Sequence, residues 1–491
     1  MNRLFINPEQ ILAALDPNVF GGFAEHLGQC IYGGIYDPDS PLADERGLRT
    51  DVMEALRRLK MPVMRYPGGN FVSGYRWMDG VGPRSERPVR TDMAWNTIET
   101  NQFGTNEFIE FCRLIGTEPY MVVNAGDGDM REARDWVEYC NGSSDTTLVR
   151  LRRQHGYSAP HNVKYWGIGN EVDGPWQIGF KTPSEYARVT TEFSKVMRWA
   201  DPNIKIIANG VSNWGAGDFV ERVQLLLEGA ANLIDYVAIH WYVENEANDF
   251  ARFMALSELF DARLSAFEGL VKAYQVEQSS RNVTRPIHLA VDEWNVWHRA
   301  EIEEGGHNAV IYTLEDALVV AMQMNAFIRH ASSVKMANIA QIVNVLAPIN
   351  TRKDGMVLQT IFYPFELYSN WAGANVVSSY FSGDTFSGGD HTGLPVLDTV
   401  ATLSADGRQL VIFAINRSEN NAAETTLSLA QGQFAGTIQA HIVNGSGIKS
   451  RNTFNDPGQV VARLNQIPAG GREATVTFEP HSISVLVCPI E

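Results

Sequence analysis

The chain has 491 residues, 44% of them hydrophobic and 20% charged, with a formal net charge of −17 at pH 7. This is globular composition with material for a large core, and the length points to two or three domains. The acidic balance excludes a nucleic-acid binder built on clustered Lys and Arg, and no stretch approaches the ~18 apolar residues of a membrane span. The opening "MNRLFINPEQILAALDPNVF" lacks a basic start, a long apolar run and a small-residue cleavage site, so no secretory signal and a cytoplasmic location are expected. Cys30, Cys112, Cys140 and Cys488 are scattered without metal-type spacing and read as free buried thiols, which makes the Asn-Gly-Ser at Asn141 a chance sequon.

Residues 1–15, with "MNRLFIN", precede the first repeating unit and are expected to return to the C-terminal domain. From there to about residue 350, short apolar runs alternate with amphipathic segments. The runs expected to be strands are "VFGGFAEHL", "MPVMRYPGG", "EPYMVVNAG", "VKYWGIGNE", "IKIIANG", "DYVAIHWY", "PIHLAVDEW" and "ANIAQIVNVL". In "TNEFIEFCRLIG", Phe108, Phe111, Cys112 and Ile115 form one apolar helical stripe that Gly116 can end. In "KTPSEYARVTTEFSKVMRWADP", Thr182 can cap, Pro183 opens the helix and Glu185 completes a capping box. Eight such units predict a (β/α)8 TIM barrel over 16–375. A doubly wound sheet is the alternative, but "GGFAEHLG" lacks the helix-opening glycine turn of that fold. After residue 375, "PVLDTVATLSADGRQLVIFAIN", "TTLSLA", "GTIQAHIVNG" and "ATVTFEPHSISVLVCPI" alternate in short strands, predicting a C-terminal antiparallel β-sandwich over 376–491.

In such a barrel the reactive groups stand at the C-terminal strand ends. Those ends carry Glu25, His26, Arg65, Asn70, Asn124, Asn170, Glu171, His240, Tyr242, Glu293 and Gln341. Glu171 and Glu293 end the fourth and seventh runs, and three units of roughly 30 residues separate them, so their carboxyls can converge across the mouth. A converging pair is what glycoside hydrolysis needs, one carboxyl protonated for the leaving oxygen and the other ionised. Asp292 rivals Glu293, because strand alternation should turn only one of the two inward. Trp95, Trp166, Trp176, Tyr242, Trp294 and Trp297 crowd the same loops, where they can stack on sugar rings or simply pack. His240 and His26 have no metal-ligand spacing, and no Gly-x-Ser-x-Gly elbow is present, so neither a metal, nor a cofactor, nor a serine nucleophile is expected.

"GGFAEHLGQCIYGGIYDP", "RYPGGNFVSGYRWMDGVGP", "GIGNEVDGPWQIG", "HWY", "VDEWNVW" and "AQIVNVLAPI" resemble, in order, the signatures of family 51 glycoside hydrolases, the intracellular-type α-L-arabinofuranosidases. The resemblance implies an exo-acting, retaining double displacement on arabinofuranosyl oligosaccharides, with Glu293 as nucleophile, Glu171 as acid/base and Asp292 in support. It implies that Glu25, Asn70, Asn170 and Gln341 grip the arabinose hydroxyls. Tyr242, Arg65 and His240 would orient Glu293, while Trp95 and Trp297 wall the pocket. The Gly68-Gly69 turn would let backbone approach the ligand. A retaining pair is expected about 5–5.5 Å apart. The loops "NAGDGDMREARDW" and "HWYVENEANDF" depart from the family pattern and would shape the leaving-group side. A hexamer is implied by the same likeness. The competing readings are a β-xylosidase or endoglucanase using the same glutamates, and a non-catalytic carbohydrate-binding protein on this fold.

Overall fold

The computed structural model describes residues 2–279, 285–299 and 310–491; Met1, the first residue of the expected N-terminal strand, lies outside them. Eight parallel strands close into a barrel: Gly21–Phe23, Val63–Tyr66, Glu118–Val123, Tyr165–Ile168, Lys205–Val211, Tyr236–Val243, His288–Val296 and Val334–Ala340. Each falls on one of the eight apolar runs. The eighth begins three residues earlier than the sequence suggested and stops before Gln341. Inside the barrel, Val63, Tyr120, Val122, Tyr165, Ile207, Tyr236, Ala290 and Met336 fill the space between strands, making a packed interior rather than a channel.

The helix signals operate as read. Thr105–Ile115 ends at Gly116 in the left-handed region (φ 78°), where a residue without Cβ suffers no clash. Pro183–Ala200 starts with the Thr182–Glu185 capping box, which satisfies otherwise orphaned N–H groups. Much of "NAGDGDMREARDW" is not loop: Asp129 accepts from the Arg131 and Glu132 N–H groups and opens the helix Met130–Asn141. Likewise "HWYV" is the end of the sixth strand, and only the residues after Val243 form its loop. All four cysteines are buried and free.

Among the described residues the C-terminal domain is built on a nine-stranded sheet, beside which Thr385–Gly388 and His391–Pro395 pair as a separate antiparallel hairpin. The order of the sheet is Val461–Gly471, Phe434–Asn444, Ile483–Pro489, Gln409–Asn416, Leu397–Leu403, Asn375–Ser382, Asn2–Ala14, Ala423–Leu429 and Glu473–Phe478. The two edge strands touch each other, so the sheet curls around its own core of Leu4, Ile6, Ile412, Leu427, Phe434 and Leu486. It is antiparallel except where the N-terminal strand runs parallel to Ala423–Leu429. The helix Leu314–Arg329 is apolar nearly all round because it lies between barrel and sheet. There Asn325 donates to Asp398 (2.9 Å) and Arg329 pairs with the same carboxylate (2.7 Å).

Candidate active site

Glu293 does not end its strand but stands three residues inside it. Between Ala290 and Glu293 the seventh strand advances three residues while its sixth-strand neighbour advances two, from Ala238 to His240. Against the eighth strand, Val291 to Trp294 is matched by Ala337 to Ile339. One extra residue is thus inserted, a bulge of the kind that re-aims side chains near active sites. Simple alternation therefore fails here, and Asp292 and Glu293 both face Arg65 and His240. Arg65 lies 2.8 Å from Glu293 Oε2 and 3.6 Å from Asp292 Oδ2, and Tyr242 donates to Glu293 Oε1 at 2.8 Å. Asp292 lies one layer deeper, where it accepts from the Tyr120 hydroxyl at 2.7 Å.

Glu171 comes from a turn rather than a strand end. The fourth strand stops at Ile168; Gly169 (φ 72°) and Glu171 (φ 44°) then occupy left-handed backbone. For a residue with a Cβ this costs about 1–2 kcal/mol and has to be held by its surroundings. The holding is visible: Asn209 Oδ1 accepts from the Glu171 N–H (3.2 Å), and Asp173 accepts from Asn209 and from the backbone N–H groups of Ser212 and Asn213. The Glu171 carboxylate accepts from the Trp176 indole at Oε2 (2.9 Å) and faces His240 Nδ1 through Oε1 (3.2 Å). His240 Nδ1 is also 3.5 Å from Glu293 Oε2, and its Nε2 is 3.1 Å from Asp292 Oδ1. Donor-type atoms of Glu171, His240 and Glu293 all lie within 4.8 Å of one another. Three such atoms can converge on a cation, but here the imidazole already lies between carboxylates on both nitrogens, an arrangement that a doubly protonated ring satisfies.

Three buried acids, Glu25, Asp292 and Glu293, and the half-buried Glu171 share two buried cations, Arg65 and His240. Burial raises the Glu171 pKa and the Glu293 charge adds to it, against the opposing His240 hydrogen bond. Burial, with Glu293 again adding, pushes Glu25 up to about 8. His240 loses basicity to burial, but the charges of Glu293 and Asp292 outweigh that loss and lift it to about 10. Asp292 is held below the ordinary range by Arg65 and His240, although burial alone would raise it.

These groups open on a cavity of about 490 Å³, within the ~300–1,000 Å³ typical of small-ligand sites. Eight expected residues line it: Glu25, Asn70, Trp95, Glu171, Tyr242, Glu293, Trp297 and Gln341. Glu25 accepts from Gln341 (2.7 Å), Trp95 (3.1 Å) and the Phe71 N–H (3.2 Å). A Cβ on Gly68 would come within 2.7 Å of Glu25 Cγ, so this glycine permits a carboxylate, rather than only a ligand, to lie against the backbone. Tyr242 and Trp297 meet edge to face at 4.7 Å. Among the described residues Gln341 Oε1 and Trp297 Nε1 are buried without hydrogen-bond partners, an acceptor and a donor at the cavity wall.

Arg65, His240 and Asn170 stand behind the wall. Arg65 holds Asn170 Oδ1 at 2.5 Å, and Asn170 Nδ2 lies 3.5 Å from Asn70 Oδ1. His26 and Asn124 stay out of the cavity: His26 pairs with Glu99 and Tyr66, and Asn124 bonds Asp127 and the Tyr75 carbonyl. Trp166 and Trp294 are core residues. Sequence reasoning missed Trp176 as a partner of Glu171, Tyr120 beneath Asp292, Asn209 behind the turn, and the apolar lining from Leu27, Val345 and Leu346. Only Trp176 carried a signal, its place five residues after Glu171 in a Gly-Pro turn.

A TIM barrel with opposed carboxylates at its mouth defines a glycoside-hydrolase type of site. Family models described as the α-L-arabinofuranosidase 1 domain and the α-L-arabinofuranosidase C-terminal domain match residues 55–262 and 292–482. The chain is 42% identical over 447 residues to α-L-arabinofuranosidase C of Emericella nidulans, covering 87% of each. It is 38% identical over 495 residues to the intracellular exo-α-(1→5)-L-arabinofuranosidase 1 of Bacillus subtilis, covering 99% of this chain and 98% of the relative. The arabinose complex of α-L-arabinofuranosidase from Thermotoga maritima superposes with a TM-score of 0.90 at 37% identity, covering 99% of both chains. The chain belongs to the family 51 α-L-arabinofuranosidases.

Proposed function

We propose that this enzyme is retaining and exo-acting, and that it releases terminal non-reducing α-L-arabinofuranosyl residues from arabino- or arabinoxylo-oligosaccharides. The observation that carries the reading is the approach of Glu171 and Glu293 within 4.8 Å in one cavity. Retaining pairs lie about 5–5.5 Å apart, whereas inverting pairs stand roughly 6.5–9.5 Å apart to admit a water. The surroundings divide the roles. Glu293 has a guanidinium and a phenol holding its two oxygens, which suits a nucleophile. Glu171, raised by burial, suits the acid.

A Glu293 oxygen bonds to the anomeric carbon as the glycosidic bond breaks, and Glu171 gives its proton to the leaving oxygen. Water then bonds to that carbon, Glu171 takes the water proton, and the bond to Glu293 breaks. Negative charge passes from Glu293 to Glu171 and back, and His240 Nδ1 is within 3.5 Å of both carboxylates. Glu25, Asn70 and Gln341 hold the sugar hydroxyls, with Asn170 reaching the 2-hydroxyl through Nδ2. Glu25, neutral in part near pH 7, can donate as well as accept. Trp95 and Trp297 wall the ring. Exo action on oligosaccharides is supported by the cavity's size and by the named activity of the Bacillus relative. The names of the Bacillus subtilis and Halalkalibacterium halodurans relatives support a cytoplasmic location, and among the described residues no helix is long and apolar enough to cross a membrane. The hexamer is part of the same reading and rests on family likeness; light scattering on the full chain tests it.

The experiment is turnover of aryl α-L-arabinofuranoside, quenched and digested for mass spectrometry. A pentosyl adduct on the peptide containing Glu293, absent from Glu293→Ala, is expected. Inverted product configuration by proton NMR sinks the retaining mechanism. Cleavage of aryl β-xyloside alone sinks the substrate assignment.

A further inference from the structure

Both Glu171 oxygens already accept hydrogen bonds, Oε1 from His240 and Oε2 from the Trp176 indole. This is the bonding pattern of an ionised carboxylate, yet an acid must present a proton to the glycosidic oxygen. A donor on the oxygen that carries the proton favours the ionised form and occupies part of the approach to the glycosidic oxygen, so the more mobile of the two competes with the acid state. His240 is the fixed one: it is 2% exposed, and Asp292 anchors its far nitrogen. Trp176 is the displaceable one. It is 53% exposed, lies on the cavity wall, and follows the Gly174-Pro175 turn. Its ring rests directly over Gly174, where an added Cβ would sit 2.3 Å from the indole. Glycine at 174 thus provides the seat from which the N–H reaches Glu171.

Resting on the reading of Glu171 as acid/base, we propose that Trp176 is a positioning residue that holds Glu171 Oε2 through its indole N–H in the ionised state. It yields that place to the glycosidic oxygen in the acid state. An indole N–H can only donate, so it favours the carboxylate and competes with the proton. The second half-reaction, which needs Glu171 ionised, is the one it assists. The first half-reaction is the one it opposes.

Two variants separate this role from apolar packing. Trp176→Phe keeps an aromatic wall and removes the donor; Gly174→Ala keeps the indole and pushes it off its seat. Both are expected to move the alkaline limb of the kcat/KM profile upward by roughly half to one pH unit, because a donor to the charged form is gone. Both are expected to slow hydrolysis of the glycosyl-enzyme several-fold on aryl arabinofuranosides with activated leaving groups, where that step limits kcat. A raised KM with unmoved pH limb and unchanged kcat in both variants overturns the proposal. So does a shift in Trp176→Phe that Gly174→Ala does not share while circular dichroism shows both folded. Glu171→Ala is run alongside. Restoration of its lost activity by azide supports the acid/base reading on which the proposal stands. Full activity without azide overturns that reading, and the proposal with it, whatever Trp176→Phe does.

Discussion

The two ends of the barrel use the same kinds of charged residue in opposite proportion. At the N-terminal end a single acid, Asp235, faces three cations: Arg198 at 2.6 Å, Lys205 at 3.0 Å and Arg285 at 2.9 Å. It also accepts the Ile206 N–H at 2.9 Å. Its pKa is lowered, although burial alone would raise it. At the C-terminal mouth four acids share Arg65 and His240, and Glu25 and Glu171 are pushed up. Where cations exceed acids, charge is neutralised and the cluster ties strands together. Where acids exceed cations, protons become mobile near neutral pH, and that is what acid–base chemistry requires.

Breaking the mouth is expected to have the largest effect. Arg65→Met leaves Asp292 and Glu293 buried without their guanidinium; removing one partner of a buried pair typically costs about 3–5 kcal/mol. Turnover of aryl arabinofuranoside should fall by at least ~10³-fold, since Glu293 loses the guanidinium that aims its carboxylate. Thermal unfolding and steady-state kinetics check both parts, and activity within tenfold of wild type would refute the assigned role of Arg65.

A smaller effect follows from His240. Its folded pKa of about 10 exceeds the ordinary 6.5, so the stability it contributes is complete below about pH 6.5 and is lost as pH rises through about 10. The wild-type unfolding midpoint should therefore decline between pH 7 and 10, and His240→Gln should flatten that decline. Parallel curves for the two proteins would mean that the ring is not held as an imidazolium.

The contrast between the two ends was only partly legible in the sequence. The eight barrel strands announce themselves because each is buried on both faces and reads as a continuous apolar run. The glutamates could be paired because barrel units have nearly constant length. The bulge could not be seen: "LAVDEW" reads as an apolar strand ending in two acids, and only the neighbours' register reveals the extra residue that turns Asp292 and Glu293 the same way. Trp176 shares a short stretch with Glu171, but whether its indole turns inward depends on a Gly174 seat that composition does not encode. The Asp235 cluster draws its three cations from distant segments, so no local pattern marks it.

That cluster supplies the smallest effect and the sharpest control. Asp235→Asn keeps the side-chain shape and the hydrogen bond from Ile206, but removes the carboxylate charge that Arg198, Lys205 and Arg285 share. Lys205 and Arg285 are partly exposed and can turn to water, so the expected loss is about 2 kcal/mol rather than the full value for a buried pair. The folded pKa of Asp235 is depressed, so its contribution is present above the unfolded value near 4 and disappears as pH falls through the folded one. The unfolding midpoints of wild type and Asp235→Asn should therefore differ fully at pH 7 and converge below pH 4. Throughout, kcat should stay unchanged, because the cluster lies at the far end of the barrel from Glu171 and Glu293. A loss of turnover without loss of stability would mean that the two ends are coupled, and that charge proportion alone does not divide their labour.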